Sequence, residues 1–149
     1  MSFKKIMPYE FLEEVATADI AFKAWGKDLG EIFVAAADAT MNVMVEELDS
    51  IEPNEQRPLM LENESLEMLL FNFLQELIYY KDAERLLLRV RDVEIIQRDS
   101  LSILQATSSG EEIDPDRHRL RVDVKAVTLH QFKLEETAKG WEAFVILDI

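Results

Sequence analysis

Apolar residues recur at two different periods along this chain, and the changes of period predict its elements. Ile32, Phe33, Ala36, Ala37, Thr40, Met41, Met44 and Val45 fall at helical spacing. Asp28 precedes them, where its side chain can accept from the free N–H groups of a first helical turn, and Glu31 follows three residues later in a capping-box-like position. The stripe fades across residues 46–49, ahead of Pro53, so the spacing predicts an amphipathic helix of about 18 residues. A second stripe opens near Ser65, runs through Leu66, Leu69, Leu70, Phe73, Leu74, Leu77 and Ile78, and ends around residues 80–82. Both stripes need a common partner surface.

Strand signals surround the helices. Residues 20–25 alternate Ile20, Phe22 and Ala24 against Ala21, Lys23 and Trp25. A short run at 59–62 lies between the helices, and runs at 86–96 and 101–106 are separated by the turn-like Arg98-Asp99-Ser100. Runs at 120–127, 131–137 and 141–147 follow, the last two joined by Ala138-Lys139-Gly140, where glycine can take the positive φ of a tight hairpin. The final run is apolar on both faces, which predicts a central strand rather than an edge. This order predicts an α+β single domain over residues 1–149: two amphipathic helices on one face of a mainly antiparallel sheet of about six to seven strands. The Met and Phe stripes are read as core.

Charge and composition narrow the function classes. The chain has 16 basic residues against 30 acidic ones, a net charge of −14, and no cysteine. Zero cysteine removes disulfides, thiolate nucleophiles and cysteine-based metal sites, and it suits a reducing compartment. No apolar run is long enough to span a membrane and the N-terminus lacks a signal-peptide core, so the expectation is a cytoplasmic protein with no membrane association. The excess of acid repels phosphate backbones, so autonomous DNA or RNA binding is disfavoured, and it suits a cation or a basic protein partner. Phosphate-binding glycine loops, GxSxG and HExxH are absent, and only His118 and His130 are available to act as a base near neutral pH. The acidic runs at 46–49 and 52–55 read as solvated surface.

Asp19 follows the small residues Ala16-Thr17-Ala18 just before a predicted strand, which reads as a carboxylate projecting from a loop; ordinary turn chemistry explains such an aspartate equally well. The sequence ends Leu147-Asp148-Ile149, placing a side-chain and an α-carboxylate within one residue at the tip of the predicted central strand. With a third carboxylate, such a site has the all-oxygen character preferred by Ca²⁺ or Mg²⁺. Nothing in the pattern of residues brings Asp19 to Asp148.

The chain resembles the archease family of accessory proteins of RNA ligation in tRNA splicing. The resemblance rests on Tyr9-Glu10, Thr17-Ala18-Asp19-Ile20, Trp25-Gly26, the helix segment Leu69-Leu70-Phe71-Asn72-Phe73-Leu74-Gln75-Glu76-Leu77, Gly110-Glu111, His118, Val124-Lys125-Ala126-Val127-Thr128-Leu129-His130 and the terminal Asp148-Ile149. It implies a divalent-metal site, for Ca²⁺ or Mg²⁺, made by Asp19, Asp148 and Ile149 with its chain-end carboxylate, and Lys125 as a further activity-linked residue. It implies no catalysis by the chain itself: the partner is an RtcB-type RNA ligase, whose guanylylation and multiple turnover the accessory protein promotes, and tRNA is reached only through the ligase. Two positions depart from the family pattern, Ala16 where histidine is usual and Leu129 where tyrosine is common. A metal-dependent hydrolase of phosphate or nucleotide substrates and a general chaperone or scaffold are the alternative readings.

Overall fold

The structure, a computed structural model, describes residues 7–12 and 18–149. Its strands are β1 (Tyr9–Leu12), β2 (Asp19–Gly26), β3 (Glu55–Asn63), β4 (Leu86–Arg98), β5 (Leu101–Glu112), β6 (Ala126–Val127), β7 (Lys133–Thr137) and β8 (Gly140–Asp148); the helices are α1 (Leu29–Met44) and α2 (Leu66–Glu84). All strand pairs are antiparallel.

Both predicted helix starts form as read. The Glu31 N–H donates to Asp28 Oδ1 at 2.9 Å, and the Met68 N–H donates to Ser65 Oγ at 3.1 Å. Glu31 reaches one residue further back than a capping box would, accepting from the Lys27 N–H at 2.9 Å. α2 closes on Arg85 in the left-handed region, φ 56°.

The sheet differs from expectation. Instead of one sheet of about six to seven strands there are two, a five-stranded sheet with order β1-β2-β8-β6 in which β7 also pairs with β8, and a three-stranded sheet with order β3-β5-β4. α1 packs on β2 and β8 of the first and on β4 of the second. The reason lies in its composition: Ala35, Ala39 and Val43 are buried along with the predicted stripe, so the helix is apolar over most of its circumference and fits between layers. α2 likewise touches strands of both sheets. Phe22, Ile32, Phe33, Phe73 and Leu88 are fully buried in the core between them.

β8 is central, flanked by β2 along one edge and by β6 and β7 along the other. β3 extends well beyond the predicted 59–62, because β5 pairs with it from Glu55 to Asn63; Pro58 is tolerated since β3 is an edge. β1 is too short to show a period in the sequence. The predicted strand at 120–127 shrinks to Ala126–Val127. Its backbone is used elsewhere: the Arg121 and Val122 N–H groups donate to the Met44 and Val43 carbonyls, satisfying the C-terminus of α1, and Lys81 Nζ donates to the Val124 carbonyl. At the β7–β8 turn Gly140 has φ 135° and sits against the Gly26 carbonyl where a Cβ would collide. No described helix is long and apolar enough to cross a membrane.

Candidate functional site

The pairing of β2 with β8 performs the step that no sequence pattern supplied. Asp19 and Asp148 are directly opposite each other, the last pair of the ladder at that end. Asp19 is therefore the first residue of a strand, not part of a loop. Directly opposed residues in an antiparallel pair present their side chains on one face, with Cβ atoms about 5 Å apart. The alternate residues Phe22, Ala24, Ala143, Val145 and Leu147 belong to the core under the helices, so Asp19 and Asp148 lie on the face turned away from them.

Three backbone contacts fix this end. The Ile149 N–H donates to the Ala18 carbonyl at 3.0 Å, which holds the last residue beside the Asp19 row. The Lys125 N–H donates to the Asp148 carbonyl at 2.8 Å, and Ala126 pairs with Asp148 from the other side. Gln75 Oε1 of α2 accepts from the Val127 N–H at 2.7 Å, tying β6 to the helix layer. Asp19, Asp148, Ile149 and Lys125 thus converge at one end of the central strand; the first three are half-buried and Lys125 is exposed. Ala16 and Thr17 lie outside the described residues, and Leu129 is 60% exposed.

The donor set at this tip consists of oxygens. Neither aspartate forms an ion pair among the described residues, and like charges directly opposed repel. Among the described residues no group of three or more His, Asp or Glu side chains is arranged to hold a metal. The Asp19 and Asp148 carboxylates are donors of the type a hard cation takes.

A second charged cluster gathers around Glu111 and His118, two of the residues that carry the resemblance and to which the sequence pattern gives no role. Glu111 and His118 are buried at the end of β5 and in the segment that follows. Glu111 accepts from the Glu52 N–H at 2.6 Å and pairs with Arg117, while His118 Nε2 lies 3.1 Å from Glu111 Oε2. His118 Nδ1 accepts from the Asp114 N–H at 2.9 Å, which assigns the proton to Nε2, donating to Glu111. Burial raises the Glu111 pKa, but the Arg117 hydrogen bond, the Glu52 N–H and His118 outweigh it and bring the carboxyl down to about 2. A third ionic group ties Arg89 to Asp38 at 3.1 Å and Asp49 at 3.2 Å; nearby, burial first and Asp38 second push Tyr9 up to about 12.

The other end of the β2–β8 pair borders a cavity of about 1150 Å³, lined by both tryptophans, Trp25 and Trp141, with the cations Lys27, Arg91 and Lys139 and the carboxylates Asp28, Glu31, Asp92 and Glu142. The β4 bulge between Val90 and Val93 sets Arg91 at its rim. A bulge leaves no period in a sequence, so this cavity had no signal there.

Residues 9–149 match the model of the Archease protein family (MTH1598/TM1083). A protein archease of Pyrococcus abyssi is 39% identical over 134 residues, covering 89% of this chain and 94% of its own length. A protein archease of Methanosarcina acetivorans is 37% identical over 142 residues, covering 95% of each chain. The solution structure of Methanobacterium thermoautotrophicum protein 1598 superposes with a TM-score of 0.83 at 34% identity, over 97% of this chain and 100% of that one. The crystal structure of an archease, possible chaperone, from Thermotoga maritima shares the fold at a TM-score of 0.57 and 20% identity, over 100% of this chain and 98% of that one.

Proposed function

This chain belongs to the archease family, and on that premise we propose that it is a non-catalytic, metal-binding accessory protein that activates an RtcB-type tRNA-splicing RNA ligase. The observation that carries the reading is the pairing of Asp19 with Asp148, with Ile149 tied back to Ala18 at the tip of a central strand. Such a tip gathers negative charge, and no ion pair among the described residues neutralises it. Asp19, Asp148 and the Ile149 carboxylate would hold Ca²⁺ or Mg²⁺ there. When bound, the cation supplies charge neutralisation beside phosphate groups. The chain's residues position that charge: β8 fixes Asp148 between Asp19 and Ala126, and Gln75 holds β6 so that Lys125 flanks the same end. The net charge of −14 steers the protein toward a basic, RNA-binding partner, and tRNA is reached through the ligase.

The test is guanylylation of the cognate ligase with and without this protein. Wild type is expected to stimulate both guanylylation and turnover, and Asp19→Ala, Asp148→Ala and an extension beyond Ile149 to lose stimulation while remaining folded. Full stimulation by all three variants overturns the reading. A chaperone role, the wording attached to the Thermotoga maritima relative, predicts insensitivity to chelators and to both aspartate substitutions.

A further inference from the structure

Between β5 and β6 lies an irregular segment whose charge is opposite to that of the rest of the molecule. Residues 117–125 carry Arg117, Arg119, Arg121 and Lys125 against Asp123 alone, a local charge of +3 in a chain of −14. Basic residues occupy every second position from 117 to 121, and the row resumes at Lys125. Two of these five charges are already engaged, Arg117 with Glu111 and Asp123 with Lys81. Arg119, Arg121 and Lys125 are all exposed, and none makes an ion pair or a side-chain hydrogen bond with the described residues.

The backbone carrying them is held rigidly. Val45 and Leu120 form an isolated bridge, the Glu46 N–H donates to the Arg119 carbonyl at 2.9 Å, and the Arg121 N–H donates to the Met44 carbonyl at 2.8 Å. Lys81 anchors Asp123 at 2.6 Å and the Val124 carbonyl at 2.8 Å, and His118 anchors the start. The strap then enters the carboxylate tip through the Lys125 N–H. Glu46, whose N–H meets the Arg119 carbonyl, forms no ion pair with Arg119.

We propose that this strap is a docking track for the phosphate backbone of a single-stranded nucleic acid, contacted by Arg119, Arg121 and Lys125. The three cations fall within seven residues of one exposed segment, a cluster suited to a flexible polyanion. Two of the three are arginines, whose planar forks match phosphate in a bidentate manner, and the exposed Leu120 and Val122 between them offer apolar contact to sugar and base. Because the net charge of the chain is −14, the contact is weak without a partner that concentrates the nucleic acid. It is a direct contact, beyond the indirect route given above, and it stands or falls independently of the ligase.

The full ¹⁵N-labelled chain, free of divalent cations and ligase, is titrated with a ten-nucleotide oligouridylate at about 50 mM salt. Shifts are expected at the amides of 119–125 and the Nε–H groups of Arg119 and Arg121. With three phosphates neutralised, raising salt to about 200 mM should weaken binding roughly twentyfold. The Arg119→Gln/Arg121→Gln variant should keep its melting temperature and lose most of the salt dependence and at least fivefold in affinity. Absence of shifts at 119–125 up to about 1 mM probe, or shifts centred elsewhere, overturns the proposal. Equal or tighter binding of a hexaglutamate peptide at the same amides also overturns it, and reassigns the strap to an acidic protein surface.

Discussion

The Asp19–Asp148 pair and the Glu111 cluster use the same functional group at two places and treat it in opposite ways. Glu111 is 8% exposed and surrounded by what a buried carboxylate needs: a guanidinium, a backbone N–H and an imidazole N–H. Asp19 and Asp148 are half-buried and directly opposed, and no described residue provides either with a cation. The first arrangement lowers the energy of the fold; the second raises it slightly through repulsion, a cost that folding alone would not retain. A carboxylate whose partners are built in belongs to the structure, whereas the reading proposed for the opposed pair is a charge supplied from outside.

The largest effect should come from dismantling the satisfied cluster. Glu111→Ala leaves Arg117 and His118 facing a void, and urea unfolding should show a loss of roughly 2 kcal/mol, discounted for the partial exposure of Arg117. Lys81→Met removes the donor to the Val124 carbonyl and should cost about 1 kcal/mol, loosening the strap without touching the tip. Acid separates the two sites further. The folded pKa of Glu111, about 2, lies below its ordinary 4.5, so its contribution is complete at neutral pH and is lost as pH falls from about 4.5 toward 2. Thermal unfolding of wild type should weaken across that window, and Glu111→Gln should flatten the profile there. The smallest stability effect belongs to the tip: Asp148→Asn should change stability by less than about 0.5 kcal/mol, with a sign toward stabilisation as the repulsion is removed. On the proposed metal site, millimolar Ca²⁺ or Mg²⁺ is expected to raise the melting temperature of wild type and to leave that of Asp148→Asn unchanged. A large destabilisation by Asp148→Asn would erase the contrast and make the tip a structural cluster like the other.

Most of the helical framework was legible along the chain, because Asp28 and Ser65 act on N–H groups within three residues of themselves and the apolar stripes report burial directly. β8 was legible as central, since only a strand flanked on both edges and covered on a face carries apolar residues on both sides. The strand at 120–127 misled, because Val122 and Val124 have strand character but their own backbone N–H and carbonyl are taken by α1 and Lys81. The division into two sheets misled for a related reason: periodicity shows that a face is buried, not which sheet buries it.

The linear order of residues settles what is local or additive: the helix starts, the period of each strand, the net charge of −14 and the family resemblance. Long-range pairing settles the rest. Asp19 and Asp148 are brought together by one register of β2 on β8; sliding that register by one residue would send one of them to the opposite face. Register is a cooperative property of the whole sheet and the core beneath it, with Phe22, Val145 and Leu147 packed under the helices, so no short segment can encode it alone. The same holds for the strap, whose basic alternation is written in nine residues but whose exposure depends on α1 and α2 holding its backbone to the surface.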